Sequence, residues 1–133
     1  MEWLRISIRT YKTIGVETVL STDKYRKLVL MAKSHGFEIR LLYVTLRTVG
    51  LNIARVKARV KKGGHKVPIK KIKSRRIRSF EQLPWFLDHA DSALIYDNSF
   101  TKPKMVGEKK NGVYFLDPSA SVEIRTAINK LRT

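Results

Sequence analysis

Twelve lysines and arginines and one histidine, with no carboxylate among them, fill the 24 residues from Arg55 to Arg78, RVKARVKKGGHKVPIKKIKSRRIR. A block of one sign that dense cannot neutralise itself, and its self-repulsion penalises any compact fold that buries it. The chain must therefore hold this stretch at its surface or against an anion. Gly63-Gly64 breaks the block at its centre and Pro68 restarts it. The rest of the sequence does not compensate, because 28 basic against 11 acidic residues leave a formal net charge of +17. Such a balance favours polyanionic partners: nucleic acid, nucleotide phosphates, an anionic membrane surface or an acidic protein.

The chain is nevertheless no basic tail. At 133 residues and 43% hydrophobic it suits one domain, 1–133, with a real core. It contains no cysteine, which excludes disulfides, thiolate zinc sites and cysteine nucleophiles. No His and carboxylate grouping has metal-ligand spacing, so no metal site is expected. No apolar run approaches the roughly 18 residues of a membrane span, and Glu2, Arg5, Arg9, Lys12 and Glu17 stand where a signal peptide would be apolar. These features predict a soluble, cytoplasmic protein with no membrane partner.

Periodicity then divides the chain into elements. Met1 to Lys12 fits a strand or a helix, with a lean to helix. Val16 to Leu20 is short and β-branched and reads as a strand. Ser21 or Thr22 is placed to cap a helix whose apolar stripe is Tyr25, Leu28, Val29 and Ala32, ending at Gly36. Phe37 to Leu46 reads as a second strand, and the continuous run Leu41 to Val44 predicts cover on both faces. Strand, helix, strand makes a βαβ unit and predicts a parallel sheet. Helices follow from Leu51 to Lys62, with Ile53, Val56 and Val60 inward, and from Pro68 onwards. In the second of these Lys71, Arg75 and Arg78 share a face. Leu83, Phe86, Leu87 and Ala90 form a further apolar stripe, and Trp85 and Phe86 lie at core spacing rather than as base-stacking platforms. Ala93 to Tyr96 is a third strand. Lys104 to Glu108 and Val113 to Leu116 make a hairpin across Asn111-Gly112, and Val122 to Leu131 closes the chain as a helix.

The strings GVETVLSTDKY, YVTLRTVGLNIARVKARVKKGGHKVP, KIKSRRIRS, LP and ALIYDNS together resemble the zeta-toxin-like family of P-loop kinases, over roughly Gly15 to Ser99. The resemblance implies a nucleotide-kinase-like, three-layer α/β fold with a parallel sheet and a C-terminal hairpin. It also implies ATP with magnesium as cofactors and transfer of a phosphoryl group to a small molecule such as UDP-N-acetylglucosamine. Residues 55–80 match a lid-like region in which Arg75 and Arg78 would stabilise charge on the transferred group. Arg59, His65 and Lys71 would bind phosphate, Glu17 and Ser21 would face the acceptor substrate, and Asp97 and Asn98 would lie near the nucleotide base. Three departures remove negative or aromatic character from the lid: Lys66 stands where the family has Asp, Ile69 and Lys70 where it has acids, and Arg76 where it has an aromatic.

None of the seven glycines lies in a GxxxxGK[ST] string. Without that loop there is no nest of backbone N–H groups for a triphosphate, no Walker lysine and no hydroxyl for magnesium. The chain resembles the C-terminal two-thirds of such a kinase, so the expectation is a truncated domain that is incomplete or inactive alone. Loss of a strand would expose a sheet edge and an apolar face, predicting self-association or a partner chain that completes the fold. Simpler readings stand beside these. The basic block suits a solvated helical face, His65 a structural loop residue, Glu17 a polar strand end and Asp97-Asn98 a strand-terminal turn. The alternative function is a non-enzymatic module that binds nucleic acid through its phosphates.

Overall fold

The computed structural model describes residues 1–132. Ala93, Ile95 and Asp97 alternate with Leu94 and Tyr96, and the first three are buried. That alternation belongs to strand β2 (Ser92–Asp97), which lies inside a four-stranded sheet. On one side β2 pairs in parallel with β1 (Arg40–Thr45), setting Tyr43 beside Ile95. On the other it pairs antiparallel with β3 (Lys104–Lys110), which turns back into β4 (Val113–Leu116). The turn residues Asn111 and Gly112 have φ of 52° and 76°. Two successive left-handed residues give a hairpin the twist of its strands, as the Asn-Gly pair predicts.

Helices α1 (Glu2–Arg9) and α2 (Arg26–Ser34) precede β1, and α3 (Val49–Lys61) and α4 (Ile69–His89) link β1 to β2. Helix α5 (Val122–Arg132) follows the hairpin. The stripe Ile72, Ser79, Leu83, Phe86 and Leu87 of α4 is buried, as are Ile124, Ala127 and Ile128 of α5. Leu83, Phe86, Leu87 and the α5 stripe join Tyr43, Ala93, Ile95 and Val106 from one face of the sheet in the main core. Lys109 of β3 reaches across to the end of α4, where its Nζ donates to the carbonyls of Leu87, Asp88 and Ala90 at 2.7, 3.0 and 2.7 Å. A cation there satisfies orphan carbonyls at the negative end of the helix dipole. A second, smaller core joins Leu4 and Ile8 of α1 to Leu28 and Ala32 of α2.

The α/β class holds, and the sheet differs from expectation in three ways. It is mixed, because β3 pairs antiparallel with β2, and it holds one parallel pair, because Val16 to Leu20 forms no strand. Leu20 turns into the left-handed region at φ 57° and buries its side chain in the core, a conformation no continuing strand can contain. The βαβ unit therefore runs from β1 to β2, not from residue 16 onwards. Second, the helices packed in the main core cover one face of the sheet, giving two layers there instead of three. The other face leaves Leu42 64%, Val44 55% and Phe115 53% exposed. The run Leu41 to Val44 is thus covered on one side only. Third, Ser21 and Thr22 cap no helix, since α2 starts at Arg26 after a turn at residues 22–25. Val122, the first residue of α5, is 75% exposed although apolar.

The two faces of the sheet give opposite mutational outcomes. Leu42→Thr and Val44→Thr are expected to shift the unfolding free energy by no more than about 0.5 kcal/mol each, while Ile95→Ala lowers it by about 2–5 kcal/mol. Urea titration of the three variants checks this, and comparable losses at Leu42 and Ile95 would show that the outer face is covered.

Candidate anion-binding cleft

Helix α3 has a side-chain cap, Thr48 Oγ1 accepting from the Leu51 N–H at 3.2 Å, but it contains no buried residue. Its inward residues Ile53, Val56 and Val60 reach only half burial. A helix so lightly packed stands away from β1 and leaves a cleft of about 1230 Å³. The cleft is walled by the extended segment 14–20, the whole of β1, one side of α3 and the first half of α4. The turn joining the two helices is tight. Gly63 sits at φ 94°, and a Cβ on Gly64 would lie 2.9 Å from the Arg59 carbonyl, to which the Gly64 N–H donates at 2.8 Å. The Gly63-Gly64 break in the basic block is therefore what folds one half of it back beside the other.

Five of the block's cations, Arg55, Arg59, Lys62, Arg75 and Arg76, line this cleft, and Glu17 is the one carboxylate among the lining residues. Arg76 is engaged by the fold. Its Nη1 donates to the Leu46 carbonyl and to Asn52 Oδ1, both at 2.7 Å, and its Nη2 to the Arg47 carbonyl at 3.2 Å and Glu123 Oε2 at 2.6 Å. Arg55 donates to the Asn98 carbonyl at 2.8 Å. Arg59, Lys62 and Arg75 make no side-chain hydrogen bond and no ion pair among the described residues. Three unsatisfied cations thus face a concavity beside the carboxyl ends of β1 and β2, where open α/β sheets hold ligands.

Beside that end of the cleft, past the strands, the polar side chains are paired with one another. Asp97 is buried, accepting from the Ser99 N–H at 2.9 Å, from the Ser99 hydroxyl, and from Arg47 Nε at 3.4 Å. Burial raises its pKa, but the Ser99 bonds and Arg47 outweigh burial and hold the carboxyl below the ordinary 3.8. Arg47 also donates to the Ser119 carbonyl at 2.6 Å, tying the end of β1 to the segment before α5. The Tyr43 hydroxyl bonds Ser79 at 2.8 Å beneath the cleft, and burial raises its pKa.

Of the residues singled out in the sequence, Glu17, Arg59, Arg75 and Asn98 come together on the cleft. Arg78, Lys71, His65 and Ser21 are not among its lining residues. Arg78 lies about 60° round the helix from Arg75, and that rotation turns it to solvent. Asp97 is a strand-terminal turn residue under Ser99 rather than a group open to a base. Arg47 and Arg76 carry the local architecture, a role the sequence does not announce even though Arg76 stands out against the family pattern, because nothing in their neighbours separates them from the eleven other cations of the block.

Phosphate suits this donor set, since guanidinium groups match its oxygens in charge and in forked geometry. Magnesium does not, as one carboxylate lines the cleft and no group of three possible ligands occurs among the described residues.

No family model matches the chain, and no solved structure matches it. It is similar to a Haemophilus influenzae protein described only as uncharacterized, with 37% identity over 59 residues. That match spans 44% of this chain and 42% of the length of the relative.

Removing the Arg76 guanidinium takes a donor from the Arg47 carbonyl, Asn52 Oδ1 and Glu123, and leaves the Leu46 carbonyl only the Thr45 hydroxyl at 3.3 Å. Arg76→Ala is expected to cost about 2–4 kcal/mol in urea unfolding, with Arg76→Lys recovering little because a point charge cannot reach four acceptors. A loss below 1 kcal/mol, on the order of one ordinary hydrogen bond, counts against this role. Asp97, held below its ordinary pKa, stabilises the fold above that value and ceases to do so as pH falls through its lower folded pKa. Asp97→Asn is expected to be less stable at neutral pH and to lose stability less steeply from about pH 5 to about pH 2. Parallel pH profiles for the two proteins would rule this out.

Proposed function

We propose that this chain is a zeta-toxin-like phosphate-binding domain: the lid and acceptor-side part of a P-loop-kinase architecture, which holds a phosphorylated small molecule without transferring phosphate by itself. The observation that carries this reading is the trio Arg59, Lys62 and Arg75, unpaired in a cleft at the carboxyl ends of the parallel strands. Arg59 and Arg75 approach phosphate from two different helices and Lys62 adds a third charge. Glu17 and Asn98, on the same cleft, suit the hydroxyl and amide groups of an attached sugar or base. The resemblance over Gly15 to Ser99 supports the same class of ligand, a nucleotide or sugar nucleotide. With no GxxxxGK[ST] string in the sequence, a triphosphate lacks the backbone nest that transfer requires.

Calorimetric titration with ATP and with UDP-N-acetylglucosamine is expected to show binding that Arg59→Ala/Arg75→Ala weakens at least tenfold, since each charge-assisted bond contributes about 1.5–3 kcal/mol. Neither nucleotide is expected to be turned over by the chain alone. Equal affinities in wild type and variant refute the assignment of the cleft, and robust release of phosphate from ATP refutes the absence of transfer.

A further inference from the structure

Most of the basic block plays no part in the cleft. Lys57 and Lys61 on α3 and Lys70, Lys71, Lys73 and Arg78 on α4 are all exposed, do not line it, and make no ion pair among the described residues. Among the described residues, the one ion pair formed by the stretch from Arg55 to Arg78 is Arg76 with Glu123. The fold therefore carries its densest charge on a projecting pair of helices and supplies no acid to balance it.

We propose that this outer surface of α3 and the first half of α4 docks on the phosphate backbone of a nucleic-acid duplex, without reading its sequence. A protein partner needs an apolar centre with aromatic or aliphatic anchors. Here the exposed apolar residues are Ile69 and Ile77, and the stretch from Arg55 to Arg78 contains no Phe, Tyr or Trp. A membrane surface needs an amphipathic helix with a free apolar side. The apolar side of α3, Ile53, Val56 and Val60, is half-buried, with Val56 lining the cleft. A single strand is held largely by stacking on aromatic rings, which this surface lacks. A duplex backbone is the polyanion that charge alone can hold, and phosphate contacts position a protein without specifying bases. Size agrees as well, for the 13 residues of α3 span about 20 Å, close to six base pairs of duplex. The cations outside the cleft leave Arg59 and Arg75 free for a small ligand, so the two sites stand or fall separately.

The test is fluorescence anisotropy with a labelled 20-base-pair DNA duplex, the matching RNA duplex, the single strand and a polyglutamate peptide, from 50 to 200 mM salt. Binding to both duplexes is expected, falling by ~10³-fold across that range if about six phosphates are engaged. The variant Lys57→Gln/Lys61→Gln/Lys70→Gln/Lys73→Gln alters exposed side chains only, and its circular dichroism and melting should match wild type. It should bind duplex at least tenfold more weakly at 50 mM salt, with a salt slope shallower by about 3.6. Arg59→Ala/Arg75→Ala should keep duplex affinity within threefold while losing nucleotide binding. The proposal is overturned by no duplex binding at 50 mM salt or by a quadruple variant that binds like wild type. Tighter binding of the single strand or of polyglutamate than of duplex overturns it too. A DNA-only or RNA-only result keeps it and names the duplex.

Discussion

The Arg76 guanidinium holds the end of β1, the start of α3 and the start of α5 in one network, and the cleft depends on that junction. The guanidinium donates to two carbonyls just past β1, that of Arg47 and that of Leu46, the latter bonded otherwise only by the Thr45 hydroxyl at 3.3 Å. Asn52 and Glu123 complete the set from α3 and α5, and the guanidinium lies 4.9 Å from the Phe80 ring centre. Few other side chains offer five donors in one plane, so a lysine or an aromatic at this position could not join the same groups. Because α3 has no buried residue of its own, this junction and the Thr48 cap fix where it starts. The fork at Arg76 thereby sets the mouth of the cleft.

One block of cations has divided into three environments. Arg76 is largely withdrawn from water and paired through both Nη atoms, which is the condition under which a buried charge is tolerable. Arg59, Lys62 and Arg75 face a concavity walled partly by low-dielectric groups, where their repulsion is felt more strongly and an anion is worth more. The outer lysines are bathed in solvent, where two charges 4 Å apart repel by only about 1 kcal/mol. The fold thus disperses a charge density that would be intolerable if concentrated inside, and what remains is graded from structural to ligand-seeking.

Much of the framework was legible in the sequence. Asn111-Gly112 announced the hairpin because a two-residue turn with two left-handed residues admits few other pairs. The stripes in Ile69–His89 and Val122–Arg132 announced their helices because burial against a sheet imposes a 3.6-residue period. The failures have a common physical origin, since local pattern reports propensity and not what lies opposite. Val16 to Leu20 has strand composition, but Leu20 turns into the left-handed region and places its side chain in the core, which ends any ladder there. Leu41 to Val44 is apolar throughout although one face is open, so apolarity does not certify burial on both sides. On the cleft, Glu17, Arg59, Arg75 and Asn98 were found through a motif. Arg47 and Arg76 could not be distinguished from their neighbours, because their role is defined by carbonyls and acids that converge only in three dimensions.

The failed strand and the cleft are two aspects of one fact. Had residues 16–20 paired along β1, the outer edge of that strand would be closed and the concavity filled by backbone. Instead the edge stays open, Val16 and Val19 remain exposed beside it, and α3 hangs over the gap with little apolar contact to hold it. Regions with few buried contacts occupy the low end of local stability in a protein, while α4, with five buried residues, belongs to its high end. On the reading proposed above, an anion shared by Arg59 on α3, Lys62 at its C-cap and Arg75 on α4 would tie the loose helix to the firm one. Binding energy would then appear as order in α3, and the event that fills the cleft would also fix the angle at which the outer lysines are presented.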